Sequence, residues 1–295
     1  MRRRVLNAWL RYCVRPVLRF GRSPERQAWA FDRVAPWLFP GPPFLCHLKE
    51  RTGDLRLHWV TVGRPRSRRV ILYLHGGAYI VGSGTAYRGF LGHIAQLTGV
   101  RVCAPDYRLL QQAPFPAAFD DALHAWDALL DKGYRPADIV LGGDSAGAGL
   151  MLALLAHLCQ RGTRPAGCFA MSPWTDLTLS GASLHSKGEV MLPVSRMPEV
   201  VARYLQGAAA DDPRASPLFA DFDAPPPVLI QVGSDEALLD DARRMADVLG
   251  DAAQLRIWSG VPHVWQIFDG YIPEARAALR EMAEFVQTSF AMASR

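Results

Sequence analysis

A chain of 295 residues, 49% hydrophobic and 21% charged, has the composition of a folded globular protein and not of a disordered or membrane-spanning one. Its formal charge of +5 is concentrated at one end, because the first 22 residues hold seven arginines (2, 3, 4, 11, 15, 19 and 22) and no acid, leaving 26 basic against 28 acidic residues elsewhere. The main body therefore offers no basic face for nucleic acid. The five cysteines (13, 46, 103, 159 and 168) show no C-x-x-C spacing and read as reduced thiols in a cytoplasmic protein. Arg11 and Arg15 interrupt what would have to be the apolar stretch of a signal peptide.

Residues 4–15 place Val5, Leu6, Trp9, Leu10, Cys13 and Val14 on one helical face, with Pro16 expected to end or kink the helix. Such a basic amphipathic helix suits either a cap packed on the protein or a peripheral contact with an anionic membrane, and the cap is the expected reading. Residues 1–43 are accordingly taken as an N-terminal cap segment, closed by the Pro-Gly-Pro-Pro break at 40–43. Period-two alternation around Thr52-Gly53-Asp54 predicts a hairpin with strands near 44–51 and 55–62. Val70 to Leu74 is a short, wholly apolar run typical of a strand buried on both faces. Helices are then expected near 86–97, 117–131, 146–160, 237–249 and 273–290, alternating with strands near 100–104, 138–142, 167–171, 227–232 and 254–258. That alternation implies an α/β fold: a mostly parallel central sheet with helices on both faces. Residues 172–226, rich in Ser, Pro and Ala with one helical piece near 196–206, break the rhythm and read as a cap insertion above the C-terminal ends of the strands.

The organising stretch is Ile139 to Gly149, IVLGGDSAGAG, which runs from strand through glycines into an apolar helix with Ser145 at the turn. Gly143 and Gly147 flank Ser145 in a G-x-S-x-G nucleophile elbow, where a strained serine leaves no room for side chains two residues away on either side. A serine hydroxyl needs a base, and the base needs an orienting acid; in folds built on this elbow they follow in the chain order Ser, acid, His, each on the loop after a strand. Asp235, following the strand Val228 to Val232, and His263, following the strand near 254–258, meet that requirement. Glu236, Asp240 and Asp241 are rivals for the acid, but are expected to fall in the next helix. His47, His58, His124, His157 and His185 suit packing or surface roles, none has a metal-ligand spacing, and no metal or cofactor is expected.

After the first central strand comes His75-Gly76-Gly77-Ala78-Tyr79, whose adjacent glycines let backbone N–H groups turn into a pocket. With GDSAG, this motif resembles the hormone-sensitive-lipase-like (family IV) carboxylesterases of the α/β-hydrolase fold. The resemblance extends over residues 70–265 and includes Tyr107 to Pro116 (YRLLQQAPFP), Asp212 to Leu218 (DPRASPL) and Gly233 to Glu236 (GSDE) followed by Leu238 to Asp241. It implies a triad of Ser145, Asp235 and His263, an oxyanion hole from the N–H groups of Gly77, Ala78 and Ala146, shaping of hole and elbow by His75, Gly76, Gly143 and Gly147, and a cap formed by the N-terminal segment and the 172–226 insertion. Two departures stand out. Ala78 replaces the usual third glycine, keeping the N–H while narrowing the space beside it. Leu110, Gln111 and Gln112 replace the usual Ala-Pro-Glu, with altered loop packing expected and not lost activity.

The expected function is a serine carboxylesterase acting on small, short-chain acyl esters through an acyl-enzyme. Lactone, carbamate or amide hydrolysis by the same triad are the alternatives within the enzyme class. A non-catalytic small-molecule receptor is the alternative outside it, disfavoured because His263 is retained. The partner is a small-molecule ester, and a monomer and a homodimer are both compatible with the chain.

Overall fold

The apolar run Val70–Leu74 lies in the middle of a sheet that has eight strands among the described residues, in the spatial order β1 (Leu45–Thr52), β2 (Leu55–Val62), β4 (Arg101–Pro105), β3 (Val70–Leu74), β5 (Ile139–Asp144), β6 (Gly167–Met171), β7 (Val228–Gly233) and β8 (Ala253–Trp258). The computed structural model describes residues 2–21, 23–65 and 68–294; Arg22, the side chains of Arg2 and Phe20, and part of the basic loop 64–69 lie outside the described residues. The hairpin β1 (Leu45–Thr52) and β2 (Leu55–Val62) is antiparallel, and β2 pairs antiparallel with β4 (Arg101–Pro105). The remaining pairs are parallel, through β3 (Val70–Leu74), β5 (Ile139–Asp144), β6 (Gly167–Met171), β7 (Val228–Gly233) and β8 (Ala253–Trp258). Every residue of β3, β5, β6 and β7 is buried, as parallel strands covered on both faces must be.

Two apolar layers flank the sheet. One is built with Trp126 of α5 (Ala117–Asp131), Leu154 of α6 (Ser145–Gln160) and Met245 of α8 (Leu239–Leu249). The other gathers Phe90 of α4 (Gly84–Thr98) and Met282 of α9 (Pro273–Ala293). Helix α6 has buried residues all round, since the sheet, α5 and the insertion enclose it.

The N-terminal segment differs in two respects from its sequence reading. Pro16 does not end the helix: α1 (Arg2–Trp9) continues through a π-helical turn (Leu10–Val14) into α2 (Arg15–Phe20). The wide turn, closed by the Arg15 N–H on the Leu10 carbonyl, lies immediately upstream of the proline and relieves the clash its ring would make in a regular helix. The apolar stripe also divides. Leu10 is buried and Leu6 and Val14 half-buried against the α4/α9 layer, whereas Val5, Trp9 and Cys13 are exposed.

These helices are fastened to the loops at the C-terminal ends of the strands. Arg3 donates to the Ser259 carbonyl and Asn7 to that of Gly260; Arg11 donates to the Lys187 and Gly188 carbonyls, Arg15 to that of Glu189. In return Arg196, beside α7 (Met197–Leu205) of the insertion, donates to the Arg19 and Gly21 carbonyls. Helix α3 (Pro24–Leu38) packs on α4.

Candidate active site

Ser145 lies where β5 turns into α6 and has φ of +51°, the left-handed region that non-glycine residues occupy only under constraint. The constraint is steric: a Cβ on Gly147 would come within 2.2 Å of the Leu74 and His75 carbonyl oxygens, and one on Gly143 within 2.7 Å of the Gly147 carbonyl oxygen. Strand β3, the elbow and α6 can approach this closely only through glycine. The hydroxyl lies in a nearly closed site, Ser145 being 8% exposed and His263 2%.

His263 arrives on the loop after β8, and its Nε2 lies 2.9 Å from Ser145 Oγ. Its Nδ1 lies 2.7 Å from Glu236 Oε2. The imidazole therefore donates its Nδ1–H to the carboxylate and presents Nε2 to accept the serine proton. Burial opposes protonation of His263, but the hydrogen bond and charge of Glu236, aided by the charges of Glu189 and Asp144, hold its pKa above the ordinary value.

The acid beside His263 is thus Glu236 and not Asp235. After Gly233 the chain makes a tight turn in which the Glu236 N–H returns to the Gly233 carbonyl, while the Gly233 N–H donates to Glu236 Oε1 at 2.6 Å. This folds Glu236 back over the end of β7. Asp235 is left exposed at the outer corner, with its side chain accepting from Ser234 and lying beside Gly188. Helix α8 begins at Leu239, so Glu236 belongs to the turn and not to the helix.

Two further residues escaped sequence reasoning. Ser172, just past β6, donates to Glu236 Oε1 at 2.8 Å and accepts from the Val264 N–H at 3.1 Å, tying the acid's turn to the histidine's loop. Glu189, buried in the insertion, accepts from the N–H groups of Met191, Leu192 and Ala237, so it couples the insertion to the turn carrying Glu236. Neither lies in a periodic segment; the one available signal was an isolated acid in a Ser/Pro-rich stretch. Asp241, by contrast, holds the base of the insertion through the Thr175 and Asp176 N–H groups.

The loop at 75–79 faces the elbow. Gly77 has φ of +116°, and a Cβ there would meet the Val81 carbonyl oxygen at 2.2 Å; Ala78 and Tyr79 follow at +55° and +59°. Buried Asp144 fixes this loop, its Oδ1 accepting from the Gly76 N–H at 2.9 Å and from Tyr73 at 2.7 Å, its Oδ2 from Tyr87 at 3.0 Å. Burial raises the Asp144 pKa against these three hydrogen bonds. His75 contributes its backbone, whose carbonyl accepts from Tyr107 at 2.6 Å, while burial lowers the pKa of its ring. The variant loop after Tyr107 also serves this motif: the Leu110 N–H donates to the Tyr79 carbonyl and the Gln111 side chain to that of Ile80. Tyr79 donates to the Ala146 carbonyl at 3.2 Å and stacks on Tyr204 of α7 with centroids 4.0 Å apart.

Residues 71–267 match a family model described as the alpha/beta hydrolase fold. An acetyl-hydrolase of Streptomyces hygroscopicus is 38% identical over 243 residues, 80% of this chain and 81% of the relative. An esterase of Acinetobacter venetianus is 38% identical over 224 residues, 74% of each chain. Among solved structures, the crystal structure of an esterase from the bacterial hormone-sensitive lipase family superposes with a TM-score of 0.90 at 34% identity, covering 98% of both chains.

Proposed function

The chain belongs to the hormone-sensitive-lipase group of α/β-hydrolase-fold carboxylesterases, and from that premise we propose that Ser145, His263 and Glu236 are the catalytic triad of a serine esterase for small acyl esters. The observation that carries this reading is the unbroken chain from Ser145 Oγ through His263 to Glu236, with contacts of 2.9 and 2.7 Å inside a buried site. Ser145 attacks the ester carbonyl and passes its proton to His263 Nε2. Glu236 keeps the imidazole in the required tautomer and stabilises the imidazolium. The N–H groups of Gly77, Ala78 and Ala146 receive the tetrahedral oxyanion. His263 then protonates the departing alcohol, and water, activated by the same histidine, releases the acid from the acyl-enzyme.

The N-terminal helices and the 172–226 insertion act as the cap, supported by their mutual hydrogen bonds and by those to the loops of Glu189 and Gly260. A short acyl group is favoured because Tyr79, stacked on Tyr204, reaches the elbow through the Ala146 carbonyl, and because the Streptomyces relative is an acetyl-hydrolase. A series of p-nitrophenyl esters tests this reading: kcat/KM falls from acetate and butyrate to octanoate and is abolished in Ser145→Ala. An optimum at octanoate or longer would contradict the short-acyl assignment, and retained activity in the variant would contradict the nucleophile.

A further inference from the structure

We propose that the outer faces of the N-terminal helices dock on an anionic lipid surface. Among the described residues, nine of the fifteen exposed large hydrophobic side chains lie in the first 44 residues. The same stretch carries nine arginines against two acids. On α1, the π-turn and α2, the exposed side chains Val5, Trp9, Tyr12 and Val17 recur at spacings of four, three and five, and the five-residue step spans the π-turn. They form a stripe opposite the one, Leu6, Leu10 and Val14, that packs on the protein. The cap contacts thus use one face of this helix and leave a second apolar face outside.

Helix α3 repeats the arrangement with a charge. Arg26, Trp29, Arg33 and Trp37, at spacings of three, four and four, share one face. Trp29 is 62% and Trp37 86% exposed. The Arg33 guanidinium sits 4.6 Å over the Trp29 ring, an arrangement that keeps a cation beside an apolar surface. The opposite face of α3 buries Pro24 and Ala35 and packs Phe31 on the core. Among the described residues neither acid of the segment forms an ion pair with Arg26 or Arg33: Glu25 accepts from Ser23 and Asp32 from Ser83.

Alternating tryptophan and arginine on an exposed helix match the boundary between lipid headgroups and acyl chains, where indole rings partition and cations meet phosphate. The charge selects the occupant: an apolar face ringed by arginines repels a second copy of itself and attracts an anionic bilayer. No helix among the described residues is long and apolar enough to cross a membrane, so the contact is at the surface. The proposal does not depend on the esterase reading.

The test is co-sedimentation of the full chain with vesicles of phosphatidylcholine containing a quarter phosphatidylglycerol, against pure phosphatidylcholine, at 0.05 and 0.5 M salt. Binding is expected to the charged vesicles at low salt and to weaken at high salt, where screening shortens to a few ångströms. R26Q/R33Q weakens it about 30-fold, each surface arginine contributing about fivefold. W29S/W37S weakens it at least tenfold, and both variants keep wild-type hydrolysis of p-nitrophenyl acetate. No vesicle binding, equal binding to neutral and charged vesicles, or unchanged binding by W29S/W37S would overturn the proposal. So would a concentration-dependent dimer of the wild type that W29S/W37S dissolves, which would make this a self-association face.

Discussion

Replacing Glu236 by Gln tests the assignment of the acid through an asymmetry in its two oxygens. Oε1 accepts from the Gly233 N–H at 2.6 Å and from the Ser172 hydroxyl at 2.8 Å, whereas Oε2 accepts from His263. A glutamine must keep its carbonyl oxygen on the Oε1 side, because an amide NH2 there would face two donors. Its NH2 group then points at His263 Nδ1 and donates to it. The imidazole is forced into the other tautomer, with Nε2 protonated toward Ser145, and loses the carboxylate that stabilises its cation. The corresponding amide substitution in a Ser-His-Asp triad lowers kcat about 10⁴-fold with the geometry intact, and a loss of ~10³ to 10⁴ is expected here. The same substitution at exposed Asp235, which the His263 contact does not involve, changes kcat/KM by less than about twofold. The assay is p-nitrophenyl acetate hydrolysis by both variants, with thermal unfolding to confirm that each is folded. A folded Glu236→Gln within tenfold of wild type, or an Asp235→Asn that loses more, would show that Glu236 is not the acid of the site.

Three further outcomes follow from the same contacts. Ser172→Ala removes a hydrogen bond to a buried carboxylate and leaves the Val264 N–H without its acceptor, so kcat should fall about 10- to 100-fold, the equivalent of ~1.5–3 kcal/mol; an unchanged kcat would show that the link between the two loops is dispensable. Because His263 must be neutral to act as base and its pKa is raised, kcat/KM on a neutral ester should rise with pH about a midpoint above the ordinary histidine value of ~6.5. Glu189→Gln removes one of the charges raising that pKa and should move the midpoint down, and a midpoint that does not move would remove Glu189 from the electrostatics of the site. Burial pushes the Asp241 carboxyl up to about 7 from 3.8, so in the folded protein it holds its proton where the unfolded chain releases it. The stability this confers is complete at low pH and is lost as pH rises toward 7. Asp241→Asn should therefore gain in Tm relative to wild type between pH 5 and 8, without loss of activity, and a pH-independent difference would contradict this.

Much of the site was legible because its demands are steric and local. Gly143, Gly147 and Gly77 stand where backbones meet or φ turns positive, and no other residue serves, so the elbow and the loop at 75–79 are written into composition. The strands were equally plain, since burial on both faces leaves no polar position in β3. The acid was not legible, because Asp235 and Glu236 are adjacent carboxylates after the same strand and only the turn decides between them. Expecting the helix to begin at 237, where it begins at Leu239, put Glu236 at the helix edge and hid its return over β7. Periodicity failed at the N-terminus for a different reason: adjacent positions such as Val5 and Leu6 or Trp9 and Leu10 are about 100° apart around a helix, so a stripe that reads as one apolar face divides where the protein packs on only one side of it. Ser172 and Glu189 act through long-range contacts of irregular segments, which no local pattern records.

Formation of an acyl-enzyme on Ser145 by His263 can be read out by stoichiometric labelling with a fluorophosphonate followed by peptide mapping. One phosphonyl group per chain is expected, on the peptide containing Ser145, with esterase activity lost in proportion to labelling and with labelling slowed at least a thousandfold in His263→Asn. An adduct on another residue, or activity that survives complete labelling of Ser145, would contradict it.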